Sequence, residues 1–197
     1  LRLIGLTTPG ALTLTVNVAA EQRPISDAIY GLHNADEAFA REIGLPVRRF
    51  GGNLTTRYNW QNDASNSGLD YYFINRPAEI PATTFIERDR RTATASLITM
   101  PMAGWVAKDA ANATCGFSTA TYAYTPVAVH GLAPTNPDHP HCGTGVTGFS
   151  AGGRPIFFGP VDPRDTSVPF GPADAQAWVN HLVEQYGAAS AGGVRYY

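Results

Sequence analysis

From Ile25 onward, short apolar runs alternate with amphipathic segments, and the longest irregular stretches follow the apolar runs. ISDAIYGLH (25–33) reads as a buried strand opening into a loop. Asn34 offers an N-cap for a short helix whose apolar side includes Ala35, Ala38, Phe39 and Ile43, and which Gly44 and Pro46 stop. PVRRFGG (46–52) follows as a strand, TTFIERDRRTATA (83–95) as a helix with a Thr cap, and SLITMPM (96–102) as a strand apolar enough to be covered on both faces. GPADAQAWVNHLVEQYG (171–187) carries the clearest helical signal. Pro172 suits the first turn, Ala175, Trp178, Val179, Leu182, Val183 and Tyr186 recur at helical spacing, and Gly187 closes the end. GVRYY (193–197) then begins a further strand. This order implies parallel βα units, with any site on the loops at the strand carboxyl ends. Four strands make half of an eight-stranded barrel, which takes roughly 250 residues when complete. A small doubly wound sheet is the structural alternative.

Composition narrows the functions. The net charge is −2, only 15% of residues are charged and there is no basic run, which argues against a nucleic-acid partner. The apolar runs are short and interrupted, so no membrane span is expected, and residues 1–20 lack the pattern of a signal peptide. The abundance of Gly, Pro and aromatic residues suits an extracellular protein. Cys115 and Cys142, the two cysteines, either pair across a long loop in an exported protein or remain thiols in a cytosolic one. Before Ile25, ALTLTVNV (11–18) alternates at period two, as a half-buried strand does.

The stretch RFGGNLTTRYNWQNDASNSGLDYYF (49–73) opens as a strand, turns on two glycines and becomes a polar, ring-rich loop. Asn and Arg supply directed hydrogen bonds without acid chemistry, while Tyr58, Trp60, Tyr71 and Tyr72 supply flat apolar faces. That combination suits a sugar, whose rim carries hydroxyls and whose faces carry C–H groups. The alternative is that Asn and Gly shape turns and the rings cap the core. His130, Asp138, His139, His141 and Cys142 crowd one segment but lack a zinc spacing. Asp162 and Asp165 offer oxygens to a structural calcium, or simply cap turns. No other cofactor is expected.

RFGGNLTTRYNWQNDASN (49–66), LITMPMAGWVAKD (97–109), DPRDTSVPFGP (162–172) and the final GVRYY, in that order, resemble the N-terminal part of the catalytic domain of glycoside hydrolase family 44, the endoglucanases and xyloglucanases. The resemblance implies a retaining hydrolase of internal β-1,4-glucosidic bonds in cellulose, mixed-linkage glucan or xyloglucan, secreted, with a (β/α)8 TIM barrel and a β-sandwich domain. Residues 1–24 would give a strand to the sandwich, and residues 25–197 the first half of the barrel, strands 1 to 4, truncated at the fourth. Retention requires two carboxyl groups about 5 to 5.5 Å apart. In related barrels the acid/base belongs to an Asn-Glu-Pro sequence past the fourth strand, and no Asn-Glu-Pro occurs here. Glu37, Glu87 and Glu184 sit on predicted helices and receive no catalytic role. The expectation is therefore of no catalytic residue in this chain, inactivity in isolation, and a missing C-terminal half of the same enzyme as partner. By motif position Arg49 and Asn53 face the barrel mouth, Trp60 is the stacking platform with Tyr58 and Trp105 behind it, Arg57 is a sugar contact or a loop clamp, and Trp178 is core. The alternative function is a non-catalytic carbohydrate-binding module using the Asn- and aromatic-rich loop.

Overall fold

The computed structural model describes residue 17, residues 19–33 and residues 35–197. The strand expected in ALTLTVNV lies outside the described residues apart from Asn17, as does Asn34, the expected helix cap. In chain order the described elements are β1 (Leu32–His33), α1 (Glu37–Glu42), β2 (Val47–Phe50), β3 (Ala64–Asn66), β4 (Asn75–Pro77), α2 (Ala82–Arg91), β5 (Ala95–Ile98), β6 (Trp105–Ala107), β7 (Val146–Phe149), β8 (Pro155–Phe157), β9 (Ser167–Pro169) and α3 (Pro172–Tyr186). The result is a mixed α/β fold with small sheets.

β1, β2 and β5 form a parallel sheet with β2 in the centre, Leu32 opposite Arg48 and Phe50 opposite Ile98. Beyond β5, Tyr196 makes a single parallel bridge to Leu97, and its carbonyl accepts from Ile98 N at 2.9 Å. The four-stranded sheet expected from Ile25, Val47, Leu97 and Val194 is thus three strands and one bridge. Its first strand starts late because Asp27–Tyr30 wind into a 3₁₀ turn capped by Ser26, whose Oγ accepts from Ala28 N. The helix expected over 83–95 starts at Ala82 after Pro81 and stops at Arg91, because Ala93 takes a positive φ and Ala95 is drawn into the sheet beside Val47. Asp36 caps α1, accepting from Phe39 N at 2.8 Å.

Alternation along β2 sorts its side chains. Phe50 and, on β5, Ile98 face the helices, joining Phe85 and Ile86 of α2, Trp178 and Leu182 of α3, and Val194 in the main core. Trp178 is 1% exposed, as its helical spacing predicts. Arg48 lies on the same covered face, where a bare guanidinium would be costly to bury. Its Nε donates to Asp89 Oδ1 at 2.6 Å, its Nη1 to the Ala35 carbonyl at 2.6 Å, and Ser96 Oγ donates to Asp89 Oδ2 at 2.6 Å. One buried acid therefore ties α2 to two strands of the sheet.

The long stretch after Ile98 is built from short two-stranded ladders rather than from a continuous layer. β6 pairs antiparallel with β9, β7 with β8, and, earlier in the chain, β3 with β4. Cys115 and Cys142 are joined in a disulfide, so the two cysteines pair rather than remain thiols, and the bond packs with Tyr72, Ile74 and Leu132 in a second cluster.

Candidate functional site at the strand ends

On the face of β2 opposite the helices stand Val47 and Arg49. With Leu32 and Leu97 they line an open hollow of about 330 Å³. Arg49 is exposed and stands one residue before the end of β2. Past that end a second cavity of about 210 Å³ brings together His33, Arg49, Gly52, Asn53 and Glu79. The two glycines are what let the loop leave the sheet here. A Cβ on Gly51 would fall 2.5 Å from Arg49 Nε, and Gly52 adopts a φ of 99° with His33 Nε2 3.5 Å from where its own Cβ would stand. His33 Nδ1 is 3.1 Å from the Arg49 carbonyl oxygen, which fixes the ring beside the arginine. His33 carried no motif in the sequence; its place directly before the first βα loop is the only signal that could have found it. The structure thus brings Arg49 and Asn53 together at one rim.

The aromatic candidates are placed otherwise. Tyr58 is 1% exposed in the main core, and its hydroxyl donates to Asp63 Oδ1 and accepts from Ala82 N. Burial, reinforced by the Asp63 hydrogen bond, pushes the phenol well above its ordinary pKa. It has no face left for a ligand, and the expectation that it contacts substrate is corrected: the ring anchors the loop to the start of α2. Trp60 is half-buried against the same core, with His181 of α3 across its ring at a centroid distance of 5.1 Å and 31° between the planes. Trp105 is half-buried on β6, paired with Pro169. Neither tryptophan lines either of the two cavities that hold Arg49.

Arg57 and Asn53 reach a further cavity of about 600 Å³, between the 66–73 segment and the loop carrying His130 and Leu132. The metal candidates are engaged by protein donors. Asp162 accepts from Arg164 N at 2.9 Å and Arg164 Nε at 3.0 Å, and Asp165 accepts from the Tyr122 hydroxyl, which is the chemistry of a capped 3₁₀ turn. His141 lies with the sulfurs of Cys115 and Cys142, all within 4.8 Å, but those sulfurs are bonded to each other.

Fold and site together define an α/β protein that gathers an arginine and an asparagine at the carboxyl ends of parallel strands. Residues 64–197 match glycoside hydrolase family 44, and the chain belongs to that family. Over 111 residues it is 33% identical to the beta-mannanase/endoglucanase A of Caldicellulosiruptor saccharolyticus, covering 49% of this chain and 8% of that protein. CelM2, a bifunctional glucanase-xylanase protein from a metagenome library, superposes with a TM-score of 0.73 at 34% identity, over 89% of this chain and 33% of CelM2. A family 44 xyloglucanase of Paenibacillus polymyxa gives a TM-score of 0.53 at 26% identity, over 89% and 32%. The chain therefore spans about a third of the length of these structures.

Proposed function

We propose that this chain is the substrate-gripping part of a secreted, retaining glycoside hydrolase that cuts internal β-1,4-glucosidic bonds of cellulose, mixed-linkage glucan or xyloglucan. In this reading residues 25–197 supply the first half of a (β/α)8 barrel, residues 1–24 a strand of a β-sandwich, and the two catalytic carboxylates come from a further part of the enzyme. The observation that carries it is the placement of Arg49 and Asn53 at the carboxyl ends of parallel strands, the rim on which barrel enzymes assemble their sites. Kinship with endoglucanase, xyloglucanase and glucanase-xylanase relatives supports the substrate class. The disulfide supports an oxidising, extracellular setting.

Arg49 would hold sugar hydroxyls through its fork of N–H donors and steady a neighbouring carboxylate, and Asn53 would read a hydroxyl from the other side of the Gly51-Gly52 turn. Four of this chain's acids are committed to other work: Glu37 pairs with Arg91, Asp89 with Arg48, Asp63 with Tyr58 and Asp165 with Tyr122. General acid and nucleophile roles need two carboxyls facing one bond. The chain alone is therefore expected to release no reducing sugar from soluble β-glucan. In an enzyme completed by its remaining barrel strands, Arg49→Ala and Asn53→Ala should each lower kcat/KM by about 10- to 100-fold, the scale of a lost charged or neutral contact in the transition state. Hydrolysis by the purified chain, abolished on mutating one of its own acids, would overturn the assignment, as would wild-type kinetics in both variants.

A further inference from the structure

Among the described residues, Cys115, His141 and Cys142 bring their ligand atoms within 4.8 Å of one another. The sequence shows only part of this set. His141 and Cys142 are neighbours, whereas Cys115 lies 27 residues before Cys142, and His130, Asp138 and His139, which crowd the same segment, are not among the three. The Ala113 carbonyl oxygen stands 3.0 Å from His141 Nε2 and 3.6 Å from Cys142 Sγ, so ring and sulfur converge on one spot. In the oxidised chain the two sulfurs are bonded to each other and the set offers no thiolate.

The frame that gathers the three does not depend on that bond. Cys115 bridges to Ile74 and Cys142 to Ser118 through the backbone. Thr119 N donates to the His141 carbonyl, Cys142 N to the His139 carbonyl and Asn136 N to the Cys142 carbonyl, each at 2.8 Å. Breaking the disulfide therefore leaves the three side chains facing one another. Two zinc–sulfur bonds of about 2.3 Å on a tetrahedral ion set the sulfurs about 3.8 Å apart, and a zinc–nitrogen bond of about 2.0 Å sets the imidazole about 3.5 Å from each. Both separations lie inside the observed spread, and rotation about the cysteine Cα–Cβ bonds supplies the parting of the sulfurs. Charge favours the same ion. Cys115 is 5% and Cys142 0% exposed, packed with Tyr72 and Ile74, where two bare thiolates would be costly. A divalent cation on two thiolates is neutral as a whole, and a neutral imidazole leaves it so. Calcium and magnesium prefer oxygen ligands, whereas thiolate and imidazole suit zinc.

We propose that Cys115, Cys142 and His141 form a zinc site that opens only when the disulfide is reduced. A dithiol reductant delivers two electrons and two protons to the Cys115–Cys142 bond and is itself oxidised to a disulfide. Zinc then displaces one proton from each thiol, forms two zinc–sulfur bonds, and takes a ring nitrogen of His141 as third ligand and water as fourth. In reducing surroundings the ion clips the 115–142 segment as the disulfide does in oxidising ones.

The whole chain is reduced anaerobically with a phosphine and titrated with cobalt(II), then zinc, beside the oxidised chain and reduced His141→Ala; circular dichroism follows the fold. One equivalent of cobalt is expected to give the reduced wild type a near-ultraviolet sulfur-to-cobalt charge-transfer band and the visible bands of a tetrahedral site. Zinc should bleach both, and the oxidised chain should show neither. His141→Ala keeps both sulfurs and a half-exposed position, and should bind at least about tenfold more weakly with altered visible bands, a direct ligand counting for no less than the outer-shell partners whose loss costs that much. A reduced chain that regains its fold on adding the ion, with the same spectrum, also supports the site. Absence of the charge-transfer band in the reduced chain, folded or unfolded, would overturn it. So would an unchanged affinity in His141→Ala, or the same spectrum from the oxidised chain.

Discussion

At the residue scale, the loop after β2 contains two kinds of polar and aromatic side chain that look alike in sequence and differ in role. Arg49 and Asn53 stand exposed at the rim, whereas Tyr58 is enclosed and Trp60 leans on α3. Neighbouring Asn residues divide in the same way. Asn59 and Asn75 are structural, Nδ2 of each donating to a distant carbonyl, Ala107 at 2.8 Å and Thr166 at 2.6 Å, so they bind the loops to one another. A ring that packs on the core should show itself in stability rather than affinity. Trp60→Ala is expected to cost about 2 to 3 kcal/mol, below the range for a fully buried tryptophan because one side of the ring is partly exposed. Cello-oligosaccharide affinity should stay unchanged. Urea denaturation with parallel calorimetry checks both; a weakened affinity with an unaltered midpoint would restore Trp60 as a sugar platform.

At the scale of elements, α2 and β2 are joined by the Arg48–Asp89 pair inside the fold. Burial lifts the Asp89 carboxyl to about 6, against the opposing pull of the Ser96 hydroxyl and Arg48. A carboxyl whose folded pKa exceeds its unfolded one holds its proton more tightly in the fold, so its contribution to stability is fully present below about pH 4. That contribution is lost as the pH rises through about 6. Asp89→Asn removes the titration, and its stability deficit relative to wild type should shrink between pH 4 and pH 7, read from urea midpoints across that window. A deficit independent of pH would show that the proton is not linked to folding. Neither Arg48 nor Asp89 announced this in the sequence. Arg48 sits beside Arg49 in an ordinary strand and Asp89 within a run of alternating charges that reads as a solvated helix face. Only the tertiary contact distinguishes them. The helices were legible because their periodicity extends over several turns and ends in Pro or Gly signals, most clearly from Pro172 to Gly187. The ladders β3–β4, β6–β9 and β7–β8 were not, because three- and four-residue strands leave no measurable alternation and their partners are chosen by the fold.

At the scale of the whole molecule, the parallel strands were visible in the sequence as apolar runs after each helix, but the way the long 103–170 stretch is held against them was not. Two constraints hold it. Backbone hydrogen bonds tie it to the segment between β2 and α2, from Asn75 N to the Thr114 carbonyl at 2.8 Å and from Ala107 N to the Arg57 carbonyl at 2.9 Å, and the disulfide closes the segment between Cys115 and Cys142 at a separation of 27 residues. That closed segment carries His130 and Leu132, one wall of the cavity of about 600 Å³ beside the 66–73 segment, and Leu132 packs on the disulfide cluster itself. Loop closure of this length restricts the unfolded chain by about 3 to 4 kcal/mol, a large share of the stability of an ordinary domain. Replacing both cysteines by alanine should therefore lower stability by about 3 kcal/mol, with the buried position of both residues adding to the loss. The damage should also be uneven. Because β1, β2 and β5 with their helices form a core separate from the disulfide cluster, amide exchange should accelerate first at Phe117–Val146 and leave the Ile98 and Leu182 amides slow. Hydrogen exchange on the oxidised chain and the double-alanine variant measures this directly, and uniform acceleration across both clusters would mean that the long loop and the parallel sheet fold as one unit.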